Sequence, residues 1–138
     1  MADAIKPVAD SPNPSLNRAI ACARAAQLNR AQDVVVLDLR ELTPVFDYFV
    51  IATGTSRRQL GAISEEIEAM LRRDFGDRRI GLEGVEQSQW VLLDYGDVVV
   101  HLFDSDTRDY YRLEDLWAGA KVVPCPVSSE GEAPSKGV

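Results

Sequence analysis

One histidine and two cysteines in 138 residues leave little from which to build a metal site. Cys22 and Cys125 are far apart, with neither a zinc-ligand spacing nor a disulfide framework, and both are read as reduced thiols. His101 lies in the middle of an apolar run with no identifiable Ser or Cys nucleophile as partner. It reads as a hydrogen-bonded core or edge residue, not as a general base. No stretch approaches the roughly 20 apolar residues that cross a bilayer. The opening residues MADAIKPVADSPNPS also lack an apolar signal region. A cytoplasmic protein without membrane contact is therefore expected. Basic residues are outnumbered, 15 against 22 acidic, for a net charge of -7. That balance disfavours tight nucleic-acid binding, which rests on clustered Lys and Arg, and favours a basic protein partner.

What is present fits one α+β domain. Residues 1–13 and 119–138 have the Pro-rich, polar, turn-rich composition of disordered extensions, leaving 14–118 as the domain. Asn13-Pro14 reads as an N-cap followed by Pro at the first helical position, opening a helix to about Arg30. VVVLDL after Asp33, and Phe46 to Thr53, read as two strands whose short connection makes them antiparallel neighbours. Ser56 and Gln59 have capping-box spacing for a second helix, with Leu60, Ile63, Ile67 and Met70 or Leu71 as its buried stripe and Gly76 as its stop. A short strand is expected at about Arg79 to Leu82. Gln89 to Asp94 and Val98 to Phe103 form a hairpin around Tyr95-Gly96-Asp97. Tyr111, Leu113, Leu116 and Trp117 suit a short terminal helix, from Arg108 to Trp117, packed back on the sheet. The expectation is a mixed sheet of about five strands flanked by helices.

Two features invite an enzymatic reading. FVIATGTSRRQL, at 49–60, runs from an apolar strand through a glycine turn into a helix, the geometry of a phosphate cradle. It lacks the lysine of a Walker loop and the three glycines of a dinucleotide fingerprint. Glu66-Ile67-Glu68 has the letters of a metal-binding carboxylate pair, but on a helix residues two apart diverge by about 200°. Asp104-Ser105-Asp106 follows the last strand and is more simply a turn and a helix cap. No cofactor is expected. A helix start is the leading reading of the glycine turn, with an anion site as the alternative.

The material for binding is better. Along the strand at 89–95, Trp90, Leu92 and Asp94 alternate with Val91, Leu93 and Tyr95, so both faces are largely apolar. One face must cover the core. The other exposes either Trp90 with Leu92 or Tyr95 with its neighbours, ringed by Glu83, Glu86, Asp94 and Asp97. An aromatic anchor inside an acidic rim suits a basic protein partner. The competing reading makes Trp90 a buried sheet residue under a helix.

Three segments carry a family likeness: DYFVIATGTSRRQLGAI at 47–63, LEGVEQSQWVLLDYGDVVVHLFD at 82–104 and RDYYRLEDLW at 108–117. Together they resemble the ribosomal silencing factor family, also called Iojap. The resemblance implies a small α+β domain related to the nucleotidyltransferase fold without its catalytic carboxylates. It also implies a translational repressor, not an enzyme, that binds the large ribosomal subunit through its fourteenth protein and blocks joining of the small subunit when nutrients run short. A large-subunit assembly factor is the alternative within the same docking mode, and a nucleotide-binding enzyme using the Gly54 turn is the rival from another class. A Gly-to-Trp segment of the family matches Gly84 and Gln89-Trp90, which makes Trp90 the expected contact with Leu92 beside it. Asp94, Tyr95, Asp97, Glu83 and Glu86 complete the expected surface. A homodimer would fit a sheet apolar on both faces, and sequence-specific contact with nucleic acid is not expected.

Overall fold

The computed structural model describes residues 13–77, 81–83 and 89–124. In chain order the elements are α1 (Pro14–Leu28), β1 (Gln32–Asp38), β2 (Tyr48–Gly54), α2 (Arg57–Phe75), β3 (Gly81–Glu83), β4 (Trp90–Asp94), β5 (Val98–Asp104), α3 (Ser105–Tyr111), α4 (Leu113–Leu116) and β6 (Lys121–Val123). The strands form one mixed sheet in the order β3-β4-β5-β2-β1-β6. Only the central pair, β2 and β5, is parallel.

Local chemistry sets the helix ends. Asn13 Oδ1 accepts the Leu16 amide at 3.1 Å, with Pro14 in the first turn. Ser56 Oγ accepts the Gln59 amide at 3.1 Å, half of the expected capping box. The other half is shifted by one residue. Gln59 Oε1 accepts the Thr55 amide at 2.6 Å, and Gln59 Nε2 donates to the carbonyls of Asn29 and Arg30 at 3.2 and 3.0 Å. One side chain thus closes the N-terminus of α2 and ties it to the end of α1. Gly76, at φ 69°, ends α2 in the left-handed region, where the missing Cβ removes the steric penalty.

The helices α1 and α2 cover one face of the sheet. The small residues Ala19, Ala23 and Ala26 let α1 lie close to the sheet, while Leu60, Ile63, Ile67 and Leu71 bring the stripe of α2 down on Val50, Val91, Leu93 and Leu102. Each fully buried Leu or Ile there contributes about 2 kcal/mol. The opposite face holds a smaller cluster of Leu37, Leu39, Phe49, Ile51, Val99, Phe103 and Leu113, edged by half-buried Trp90, Leu92 and Trp117. Among the described residues, only α3, α4 and the chain leading to β6 lie over it.

Two expectations need correction. The sheet has six strands, because Lys121–Val123, expected in the disordered tail, pairs antiparallel with β1 through Val36↔Val123 and Leu37↔Val122. Two valines in a polar stretch are too short a run to stand out, and the open edge of β1 supplies the partner. The terminal helix is broken in two at Arg112, which adopts φ 48°. The break resets the helical phase. Leu113 is buried as expected, but Tyr111 and Leu116 are 49% and 74% exposed. The short strand expected at Arg79 to Leu82 lies at Gly81–Glu83.

Candidate protein-docking face

The alternation of β4 decides which aromatic residue is available. Val91 and Leu93 are fully buried beneath the helices, and Tyr95, at 8% exposure, belongs to the same core. Tyr95 therefore cannot share a surface with Trp90. Trp90 and Leu92 turn to the opposite face, where both are half-buried. Register places Trp90 beside Phe103 and Leu92 beside His101.

A connected set of rings grows from these pairs. The Trp90 ring lies 4.8 Å from Phe103 and 4.9 Å from Tyr111. Its Nε1–H donates to His101 Nδ1 at 3.2 Å. The His101 ring contacts Phe49 edge-on at 4.5 Å, and Phe49 meets Trp117 at 5.8 Å. At the outer end Tyr110, 79% exposed, packs edge-on against Tyr111 at 4.9 Å. Trp90 thus combines both sequence readings: one side of its ring is packed, and the residue remains partly open to solvent beside exposed Tyr111 and, next to that, Tyr110. Packing from below holds this apolar surface in place.

His101 fixes the chemistry under that surface. Nδ1 accepts from Trp90, so the proton of the neutral ring resides on Nε2, which finds no hydrogen-bond partner among the described residues. Burial lowers its pKa from 6.5 to about 4. Because the folded pKa lies below the unfolded one, the neutral ring contributes stability that is fully present above pH 6.5 and is lost as pH falls through 4. Acidifying from pH 7 to 4 is expected to remove about 3 kcal/mol through this one group. Urea titrations of the wild-type chain and His101→Phe across that range will show it: the variant's stability should fall less steeply.

Asp94 and Asp97, expected in the acidic rim, have partners within the chain. Asp94 Oδ1 accepts the Gly96 amide at 2.8 Å, which holds the hairpin turn. Asp97 accepts from the Ser15 hydroxyl and lies 3.7 Å from Arg18, joining that turn to α1. Asp94 is four residues from Trp90, about 13 Å along the strand. Both acids serve the turn. The Glu83 backbone pairs with Leu92, while its side chain, Glu86 and Gly84 lie outside the described residues. On α3 and α4, Asp109 lines the cleft that holds Arg108, and Asp115 lies 3.4 Å from Arg112, which leaves exposed Asp106 as the acid nearest the rings. Asp106 shares a helix face with Tyr110, four residues on. Sequence reasoning missed Tyr110, and Asp106 as its neighbour, because it treated this segment as one helix packed inward. The clue was Arg112-Leu113, where a single phase could not satisfy the residues on both sides.

The glycine turn resolves into packing. A Cβ on Gly54 would sit 2.6 Å from Leu60 Cδ2, so the glycine is explained by close approach of α2 to the strand. The amides of Thr55 and Gln59, which an anion would use, are taken by Gln59 and Ser56. Glu66 and Glu68 lie on α2 as expected, and Asp104 caps α3 by accepting the Thr107 amide at 2.8 Å. Among the described residues no group of His, Cys, Asp and Glu could hold a metal ion. The nearby cleft is occupied by Arg108, which bonds Glu114 Oε2 at 2.9 and 2.6 Å, Thr53 Oγ1 at 2.7 Å and the Asp33 carbonyl at 2.7 Å. Cys22 is buried, and burial pushes its thiol pKa far up. Cys125 lies outside the described residues. Among the described residues no helix is long and apolar enough to cross a membrane.

Comparison with known proteins gives the family and the fold. Residues 12–137 match the family described as ribosomal silencing factor during starvation. The chain is 43% identical to a ribosomal silencing factor of Bacillus subtilis over 71% of its own length and 82% of that protein's. It is 35% identical to a mouse protein named for mitochondrial assembly of the ribosomal large subunit, over 63% of this chain and 39% of that one. A crystal structure of a Chromobacterium violaceum protein superposes with a TM-score of 0.73 at 36% identity, covering 79% of this chain and 90% of the other.

Proposed function

The chain belongs to the ribosomal silencing factor family, and from that premise we propose that it represses translation by docking on the large ribosomal subunit and sterically blocking the small one. The observation that carries the proposal is the half-covered aromatic face, with Trp90 held from below by Phe103 and His101 and bordered by exposed Tyr110 and Tyr111. Such a face buries apolar area on contact without first having to order itself. The net charge of -7, with Asp106 beside Tyr110, steers it toward a basic surface, for which the subunit's fourteenth protein is the proposed partner, and affinity should fall as salt rises. The mechanism is non-catalytic and needs no cofactor: bulk alone prevents joining. A cytoplasmic location follows from the target. The same face is open to a second copy of the chain, so a homodimer would compete with the subunit.

Co-sedimentation with purified large and small subunits tests the proposal. Pelleting with the large subunit alone supports it, and failure to pellet with either would refute it. The mouse relative's name favours a second reading, an assembly role for the large subunit. Depletion then decides: precursor particles in a sucrose gradient point to assembly, and excess joined ribosomes point to silencing.

A further inference from the structure

The net charge of -7 hides a basic corner. Among the described residues, Arg24, Arg30, Arg57 and Arg58 have no carboxylate partner, whereas Arg18, Arg40, Arg72, Arg73, Arg108, Arg112 and Lys121 all do. The unpaired ones gather where α1 ends and α2 begins. Gln59 Nε2 bonds the Asn29 and Arg30 carbonyls, which brings Arg30 beside the first turn of α2 and its Arg57 and Arg58. Arg30, Arg57 and Arg58 are exposed, and Arg24 lies a turn and a half back along α1. The nearest acids on α2 are Glu65 and Glu66, about two turns along from Arg58, and Glu66 borders the groove that Arg24 lines without pairing with it. In a chain where acids exceed bases, leaving these cations unpaired keeps them available to an outside anion.

The corner's position relative to Trp90 suggests what that anion is. Trp90 is in register with Phe103, and Phe103 with Thr53, so the exit from β2 into α2 lies at the same end of the sheet as Trp90. Two strand spacings separate them, about 10 Å. Trp90 faces away from α1 and α2, so a ribosomal surface that touches Trp90 and curves round this end of the sheet would come within reach of the corner. Resting on the docking proposed above, we propose that Arg30, Arg57 and Arg58, with Arg24 behind them, grip backbone phosphates of ribosomal RNA next to the protein contact. Guanidinium groups bond phosphate oxygens in bidentate fashion without reading sequence. The rest of the acidic surface repels RNA, so phosphate contact is confined to this corner and to the docked orientation.

The test compares full-length wild type, Arg30→Gln/Arg57→Gln/Arg58→Gln and the corresponding triple Lys variant for binding to purified large subunits across a salt series. Removing three phosphate contacts should weaken binding about tenfold or more and flatten the plot of log affinity against log salt by about two. The Lys variant should keep the wild-type slope. Unchanged affinity and slope in the Gln variant would overturn the corner while leaving docking at Trp90 intact. Weaker binding with an unchanged slope would mean that the arginines displace no phosphate counterions, and would overturn the RNA assignment. Should the wild type not bind large subunits, the docking proposal fails, and gel shift of a labelled RNA duplex decides the corner: a shift lost in the Gln variant supports it, and no shift overturns it.

Discussion

Replacing Trp90 with alanine is expected to weaken binding to the large subunit by about 2 kcal/mol or more, roughly 30-fold, in a chain that still folds. Truncation removes the ring that spans Phe103 and Tyr111, so both lose a packing surface. It also leaves His101 Nδ1 without its donor. The fold should survive because the main core lies on the other side of the sheet, where Val91 and Leu93 of the same strand remain fully buried. Trp90→Phe separates the two contributions. It keeps a ring against Phe103 but removes the N–H, and should bind more tightly than Trp90→Ala. Fluorescence anisotropy with labelled subunits measures the affinities, and circular dichroism verifies folding. A folded Trp90→Ala chain that binds as wild type would remove Trp90 from the contact, and a chain that unfolds would make it a core residue.

Arg108→Ala is expected to cost about 3 kcal/mol of stability, because it breaks a largely buried charge pair and strands several acceptors at once. The Arg108 side chain is only 11% exposed. Its guanidinium joins the bulged start of β1 through the Asp33 carbonyl, β2 through Thr53, and α4 through Glu114. Lysine cannot reproduce this fork, so Arg108→Lys should lose nearly as much. Arg108 lies on α3, and freeing α4 loosens the support of Tyr110 and Tyr111. Subunit affinity should therefore fall together with stability. Urea denaturation measures the first effect: a midpoint within error of wild type would show that the network contributes nothing net.

Much of the fold was legible because its signals are local. Asn13-Pro14, Ser56 and Gly76 mark helix ends through hydrogen bonds made within a few residues, and each stands where its chemistry puts it. The hairpin around Gly96, φ 92°, is equally local. What escaped depends on distant partners. Val122 and Val123 become a strand only because β1 has a free edge. Arg112 breaks a helix at a residue whose type does not announce left-handed backbone. The candidate face was half legible. Alternation separated Trp90 and Leu92 from Val91, Leu93 and Tyr95, but it could not say which set the helices α1 and α2 would cover. The partners of Asp97, which are Ser15 and Arg18, are distant in sequence and so were not legible, whereas the bond from the Gly96 amide to Asp94 is local.

Subunit joining is the most direct measurement of the central claim. Light scattering on mixing purified large and small subunits should rise with joining, and wild-type protein preincubated with large subunits should suppress that rise in proportion to its occupancy. Trp90→Ala should need roughly 30-fold more protein for the same suppression. Full joining with the large subunit saturated by bound protein would contradict the steric mechanism.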